Sequence, residues 1–237
     1  MSLPALLAVA HGSRDPRAAA TIRALADQVE RLAPVLDVQV GFVQHGQPSL
    51  AGALDAAGPD VVIVPLLLST GYHLTTDIAG AATAVDTAIT ATGAGPQVAG
   101  PLGPDQLLVT ALAGRLTEAG VPPGTPVILA AAGSSDPAAA REVAAQAELL
   151  AAELRTSVTA AFAAVGEPDV ADAVTRLRAA TRGPVAVASY LLAPGVFQDR
   201  LRGSGADWVT EPLGDHPAVA ALIIDRYRTA RSAARAA

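Results

Sequence analysis

Short apolar runs alternate with longer, amphipathic, alanine-rich stretches along the whole of the 237-residue chain. The runs fall near residues 5–10, 37–44, 61–68, 97–100, 127–132, 157–164, 184–192 and 207–210. Most are near-continuously apolar, as strands buried on both faces are. Between them, helical patterns open at "DPRAAATIRALADQVERL", "PSLAGALDAA", "TTDIAGAATAVDTAI" and "PDQLLVTALAGRLTEA", and the second half keeps the same order. Strands of this kind alternating with helices predict a parallel sheet covered on both faces, hence an α/β fold.

The second half lies on the first. "HGSRDP" (11–16) matches "AGSSDP" (132–137), and "GFVQHGQP" (41–48) matches "AFAAVGEP" (161–168). Further on, "VPLLLSTGYHL" (64–74) falls on "ASYLLAPGVFQ" (188–198), and "GPLGPDQ" (100–106) on "EPLGDHP" (211–217). Four landmarks in one order predict a duplication, with halves at 1–121 and 122–237. The join is "GVPPGTP" (120–126), whose Pro and Gly residues suit a turn between units.

Composition removes several classes of function. There is no Lys, so neither a phosphate-binding loop with its Lys nor Schiff-base chemistry is available. There is no Cys, which excludes disulfides, thiol nucleophiles and thiolate metal ligands. The net charge of −6 and the 3% aromatic content argue against nucleic acid. No apolar run approaches the roughly 20 residues of a membrane span, and "LPALLAVA" lacks the positive flank of a signal peptide. A cytoplasmic protein is expected.

Chemistry is unequally shared between the copies. His11 and His73 stand just beyond the first and third strands; their counterparts are Ala132 and Phe197. Open parallel sheets bind ligands at the carboxyl ends of their strands, so both imidazoles belong on one rim of one half. Two neutral imidazoles can hold a divalent ion or exchange protons near pH 7. Ser13 and Asp15 recur in the second copy and are assigned mainly to the turn and the helix cap. His216, at a helix start, is expected to serve that helix.

Together, "AHGSRDP", "VPLLLSTGYHLTTDI", "PLG" and "SYLLAPGVFQDRL" resemble the class II sirohydrochlorin chelatases of siroheme and cobalamin synthesis, and the resemblance covers essentially the whole chain. It implies two flavodoxin-like halves, each a parallel sheet flanked by helices, facing each other across a cleft. It also implies ATP-independent insertion of Fe²⁺ or Co²⁺ into a carboxylate-rich tetrapyrrole, with Ni²⁺ also compatible and no cofactor beyond the substrate metal. The family's metal-site histidines match His11 and His73, which carry the catalytic role. Donors to the substrate carboxylates would come from Ser13, Arg14, Ser69, Thr70, Gly71, Tyr72 and Thr75, with Arg200 as a further source. A monomer is expected, with a homodimer left open.

One departure bears on the metal. Many family members carry a carboxylate at the end of the second strand, where this chain has Gln44 followed by His45. Gln44 or His45 is the candidate third donor. Strict alternation along that strand would place Gln44 on the face of Phe42 and His45 on the other. A carrier of metal or tetrapyrrole, without turnover, is the alternative that Gln44 favours. A hydrolase using Ser13 and His11 lacks both the nucleophile-elbow spacing and an orienting acid.

Overall fold

In the computed structural model, residues 3–70, Gly80 and 95–236 are described. Two parallel sheets account for the eight apolar runs. The first holds β1 (Ala5–Ala10), β2 (Val38–Phe42), β3 (Val61–Pro65) and β4 (Gln97–Val98) in the order β2-β1-β3-β4. The second holds β5 (Val127–Gly133), β6 (Val158–Val165), β7 (Ala186–Tyr190) and β8 (Trp208–Val209) in the order β6-β5-β7-β8. The described helices are α1 (Pro16–Leu32), α2 (Leu50–Ala57), α3 (Gln106–Glu118), α4 (Pro137–Leu154), α5 (Val170–Thr181), α6 (Val196–Arg202) and α7 (Pro217–Ala236). The helix expected from "TTDIAGAATAVDTAI" lies, Gly80 apart, outside the described residues.

Alternation along the central strands sorts side chains between an inner and an outer core. On β1, Leu6, Ala8 and Ala10 join a central apolar cluster, whereas Ala5, Leu7 and Val9 pack outward beneath α2 with Leu54. The second sheet repeats this, with Leu129 inward and Ile128 outward among Val174 of α5 and Leu201 of α6. The inner cluster is continuous from one sheet to the other, so the two halves share one core.

That continuity comes from an exchange. Helix α3 follows the first sheet in sequence but packs on β7 and α4 of the second half. Helix α7 follows the second sheet but packs on β3, β4 and α1 of the first, and α3 and α7 pack on each other. Leu108 and Leu112 of α3 and Leu222 of α7 are fully buried, each contributing roughly 2 kcal/mol.

Polar groups pin the exchange, and they explain the repeated "PLG". Arg226 of α7 donates to the carbonyls of Pro101 (2.8 Å) and Leu102 (2.9 Å) and pairs with Asp105 Oδ2 (2.8 Å). Reciprocally, Arg115 of α3 donates to the Leu213 carbonyl at 2.9 Å. The fully buried Gln146 of α4 takes up both backbone groups of Asp105, at 2.8 and 3.2 Å.

Helix α3 is capped by Asp105, whose Oδ1 accepts from Leu107 N at 2.8 Å. At the matching position His216 caps α7, its Nδ1 accepting from Ala218 N at 3.1 Å. Burial, and then the nearby Arg115, push its pKa below the ordinary 6.5. Protonation therefore favours the unfolded chain, and the cap needs an unprotonated Nδ1. Its stabilisation is complete above about pH 6.5 and is lost as the pH falls below that value. In urea unfolding, the protein should lose more stability between pH 7.5 and 5 than does His216→Asn, which caps without titrating. Equal losses would remove His216 as the source.

Candidate functional site

The duplicated phrase is first of all architecture. Gly12 and Gly133 sit at φ 93° and 94°, a left-handed region that favours glycine. A Cβ on Gly12 would lie 1.6 Å from the Gln44 carbonyl oxygen, and one on Gly133 1.8 Å from that of Val165. Next, Ser13 Oγ and Ser134 Oγ accept from the backbone of Asp15 and Asp136, each at 3.1 Å. These aspartates then cap α1 and α4, with Pro at the first helical position of each. The turn, the cap and the proline recur because the backbone needs them twice. Position 11 is under no such constraint: His11 is exposed at the rim of β1, and its counterpart is Ala132.

The neighbouring rim departs from its expected form. β2 ends at Phe42, two residues short of the expected end, so strand alternation does not extend to Gln44 and His45. Instead Gln44 N donates to the His11 carbonyl at 2.8 Å, fixing the two backbones side by side. His45 then turns left-handed at φ 47°. In the second copy the left-handed turn comes one residue later, at Gly166 (φ 123°). Both Gln44 and His45 are exposed, and among the described residues no three His, Asp or Glu side chains gather as a metal cluster.

Between the halves lies a cavity of about 410 Å³. Its first wall is His11 with Leu66 to Ser69; the facing wall includes Ala132, Val143, Tyr190 and Phe197. The run 61–68 was expected as one strand, but β3 stops at Pro65. Leu66, Leu67 and Leu68 are apolar because they wall this cavity. A second compartment of about 290 Å³, lined by Ile22, Phe42, Ala193 and Pro194, shares His11 and Phe197 with the first.

Among the described lining residues, His11 and Tyr190 are the titratable groups. Tyr190 is committed: its hydroxyl donates to the Leu68 carbonyl at 2.8 Å. Burial, aided by the charges of Glu142 and Asp105, pushes its pKa up. His11 is the imidazole of the described wall. Opposite it stand Ala132 and Phe197, which can neither bind a metal nor carry a proton.

The structure brings His11, Ser13 and Ser69 to the cavities. Thr70 adjoins them, and the exposed Arg14 makes no ion pair among the described residues. Arg200 instead donates to the Ala163 carbonyl at 3.0 Å and stands over the Phe197 ring. Gly71, Tyr72, His73 and Thr75 lie outside the described residues. Glu142 and Tyr190 were not singled out from sequence, since a helix-face carboxylate and a strand tyrosine carry no local signature. The hydrolase reading loses support, because Ser13 Oγ serves Asp15 N and Asp15 is paired with Arg17.

The CbiX family pattern matches residues 5–119 and again 126–230. The chain belongs to the CbiX family. It is 27% identical to the sirohydrochlorin ferrochelatase of Priestia megaterium over 253 aligned positions, covering 96% of this chain and 90% of that protein. It is 30% identical to the sirohydrochlorin cobaltochelatase of Methanosarcina barkeri over 77 residues, 31% of this chain and 59% of that protein. The structure of SirB from Bacillus subtilis with Fe³⁺ superposes with a TM-score of 0.82 at 25% identity, covering 98% of this chain and 97% of that one.

If the glycines of this CbiX-family repeat are architectural, Gly12→Ala and Gly133→Ala should each cost at least about 2 kcal/mol in chemical denaturation. A silent substitution at either position would show that its close approach is relaxed elsewhere.

Proposed function

We propose that this protein inserts a divalent metal, Fe²⁺ or Co²⁺, into sirohydrochlorin without ATP. The observation that carries this reading is the two-walled cavity, apolar on both sides, with the His11 imidazole on one wall. The apolar walls suit the hydrocarbon face of a flat macrocycle and exclude water from it. Insertion releases two protons from pyrrole nitrogens, and an imidazole can accept a proton near neutral pH. The ion enters as a substrate, held weakly by nitrogen and oxygen donors that carry no thiolate.

In this reading His11 and His73 are the catalytic and metal-binding pair, both from residues 1–121, and residues 122–237 supply the opposite wall. Ser13, Arg14, Ser69, Thr70, Gly71, Tyr72 and Thr75 meet the substrate's carboxylates through hydroxyls, backbone N–H groups and a guanidinium. Among the described residues no helix is long and apolar enough to cross a membrane. We place the protein in the cytoplasm, working as a monomer. The relatives' activities support the reaction class but divide between iron and cobalt.

Mixing the protein with sirohydrochlorin and either ion should accelerate the absorbance change of metal insertion. His11→Ala and His73→Ala should each slow it at least about 100-fold while folding is kept, the scale of a lost acid–base or ligand group. Near-normal turnover by either variant would overturn the assignment.

Gln44 supports a second reading, a carrier that binds without turnover, because a neutral amide cannot offset the ion's charge. Metal titrations without substrate bear on this position. Gln44→Glu should tighten Co²⁺ binding, and His45→Ala should leave it unchanged. A large loss in His45→Ala, with no gain in Gln44→Glu, would transfer the third-donor role to His45.

A further inference from the structure

The two walls of the cleft are tied by polar contacts that run one way. From the second half, Tyr190 reaches across to the Leu68 carbonyl. Two residues on, Glu142 of α4 accepts twice from Thr70: Oε2 from the backbone N at 2.6 Å and Oε1 from Oγ1 at 2.7 Å. Both partners are half-buried. Gly103 makes room for the first tie, since a Cβ there would lie 2.2 Å from the Tyr190 hydroxyl.

The duplication supplies an internal control. Thr70 and Ser69 correspond to Pro194 and Ala193, so the second copy offers neither the N–H nor a hydroxyl. Six residues beyond the capping aspartate, Glu142 corresponds to Thr21, whose hydroxyl merely donates to Arg17 O within its own helix. The carboxylate and its two donors are therefore present together on one side of the pseudo-symmetric cleft and absent together on the other. A general tie between halves would have been kept at both sites, as the Arg226 and Arg115 contacts are.

We propose that Glu142 is a positioning residue, by which the half without a histidine at the cleft fixes the Ser69-Thr70 rim relative to His11. The proposal rests on the chelatase reading. In sequence, His73 follows three positions after Thr70, so the hold is placed where the chain leads from the cavity wall to the second imidazole. Two short hydrogen bonds to one carboxylate set both the direction of the backbone and the rotamer of Thr70. Glu142 does not line either cavity, so its action is indirect.

The test uses the full chain, with Co²⁺ as the probe. Glu142→Ala should weaken Co²⁺ binding in the absence of sirohydrochlorin about tenfold or more, as loss of a group supporting a ligand does. It should lower kcat for insertion by a similar factor and raise KM for sirohydrochlorin by less, since Ser69 and Thr70 are two of the seven proposed carboxylate donors. Glu142→Gln keeps two polar atoms in place, and Thr70 Oγ1 can accept from the amide. That variant should recover to within about threefold of the wild type. In Co²⁺ affinity without sirohydrochlorin, adding Thr70→Val to Glu142→Ala should cost nothing more, because the Thr70 hydroxyl then has no carboxylate to meet.

Co²⁺ affinity and kcat within twofold of wild type in Glu142→Ala would overturn the proposal. So would a Glu142→Gln variant as poor as Glu142→Ala, which would make the charge itself the active feature. If Glu142→Ala does not fold, Thr70→Val alone carries the test, and an unchanged Co²⁺ affinity overturns the proposal. His11→Ala is run in parallel: turnover there would fail the chelatase reading, whereas a dead His11→Ala beside a normal Glu142→Ala fails only this inference.

Discussion

Two arginines hold two buried leucine carbonyls, and the rest of the molecule depends on that reciprocal grip. Arg226 binds the carbonyl of Leu102 while Arg115 binds that of Leu213, each reaching from the helix that closes the opposite half. A carbonyl buried without a donor costs about 1–3 kcal/mol, so the guanidinium fork is what allows each chain turn to lie inside the seam. With Gln146 satisfying both backbone groups of Asp105, the seam is polar yet closed. The walls of the cavity are bonded directly to it: Leu102 N donates to the Leu67 carbonyl at 2.7 Å, and Leu213 N to that of Leu191 at 2.8 Å.

Much of this was legible beforehand, because strand cores and turn chemistry write locally. The eight apolar runs, the capping Asp-Pro pairs and the duplication all came from short-range pattern. The exchange of α3 and α7 did not, since an apolar helix face does not record which sheet it covers. The ends of two strands also misled. Leu66 to Leu68 continue an apolar run for the sake of a cavity wall, and the residues after Phe42 leave the strand for a tight turn. His216 was placed at a helix start from sequence, and the structure adds why a histidine serves there: Nδ1 takes the role that a carboxylate plays at Asp105.

The comparison of the copies separates what the backbone demands from what the chemistry demands. Glycine, serine, aspartate and proline of the repeated phrase are kept on both sides by close approach, turn and cap. Several of the positions that differ stand at or beside the cleft: His11 against Ala132, Leu66 against Tyr190, and Thr70 with Glu142 against Pro194 with Thr21. Sequence alone showed the loss of the imidazoles. It could not show the contact between Glu142 and Thr70, because the two lie 72 positions apart.

Fusing the two copies into one polypeptide has a consequence for how the cleft could change. In a twofold pair of identical units joined by the same swap of helices, every substitution appears on both walls at once. A residue that helps as a ligand on one side is then forced to stand opposite itself, and a bulky apolar residue that helps on one side evicts the ligand on the other. The covalent join at 120–126 lifts that coupling. Each wall can then be altered singly, and a chemically one-sided cleft such as His11 facing Phe197 becomes reachable by single steps.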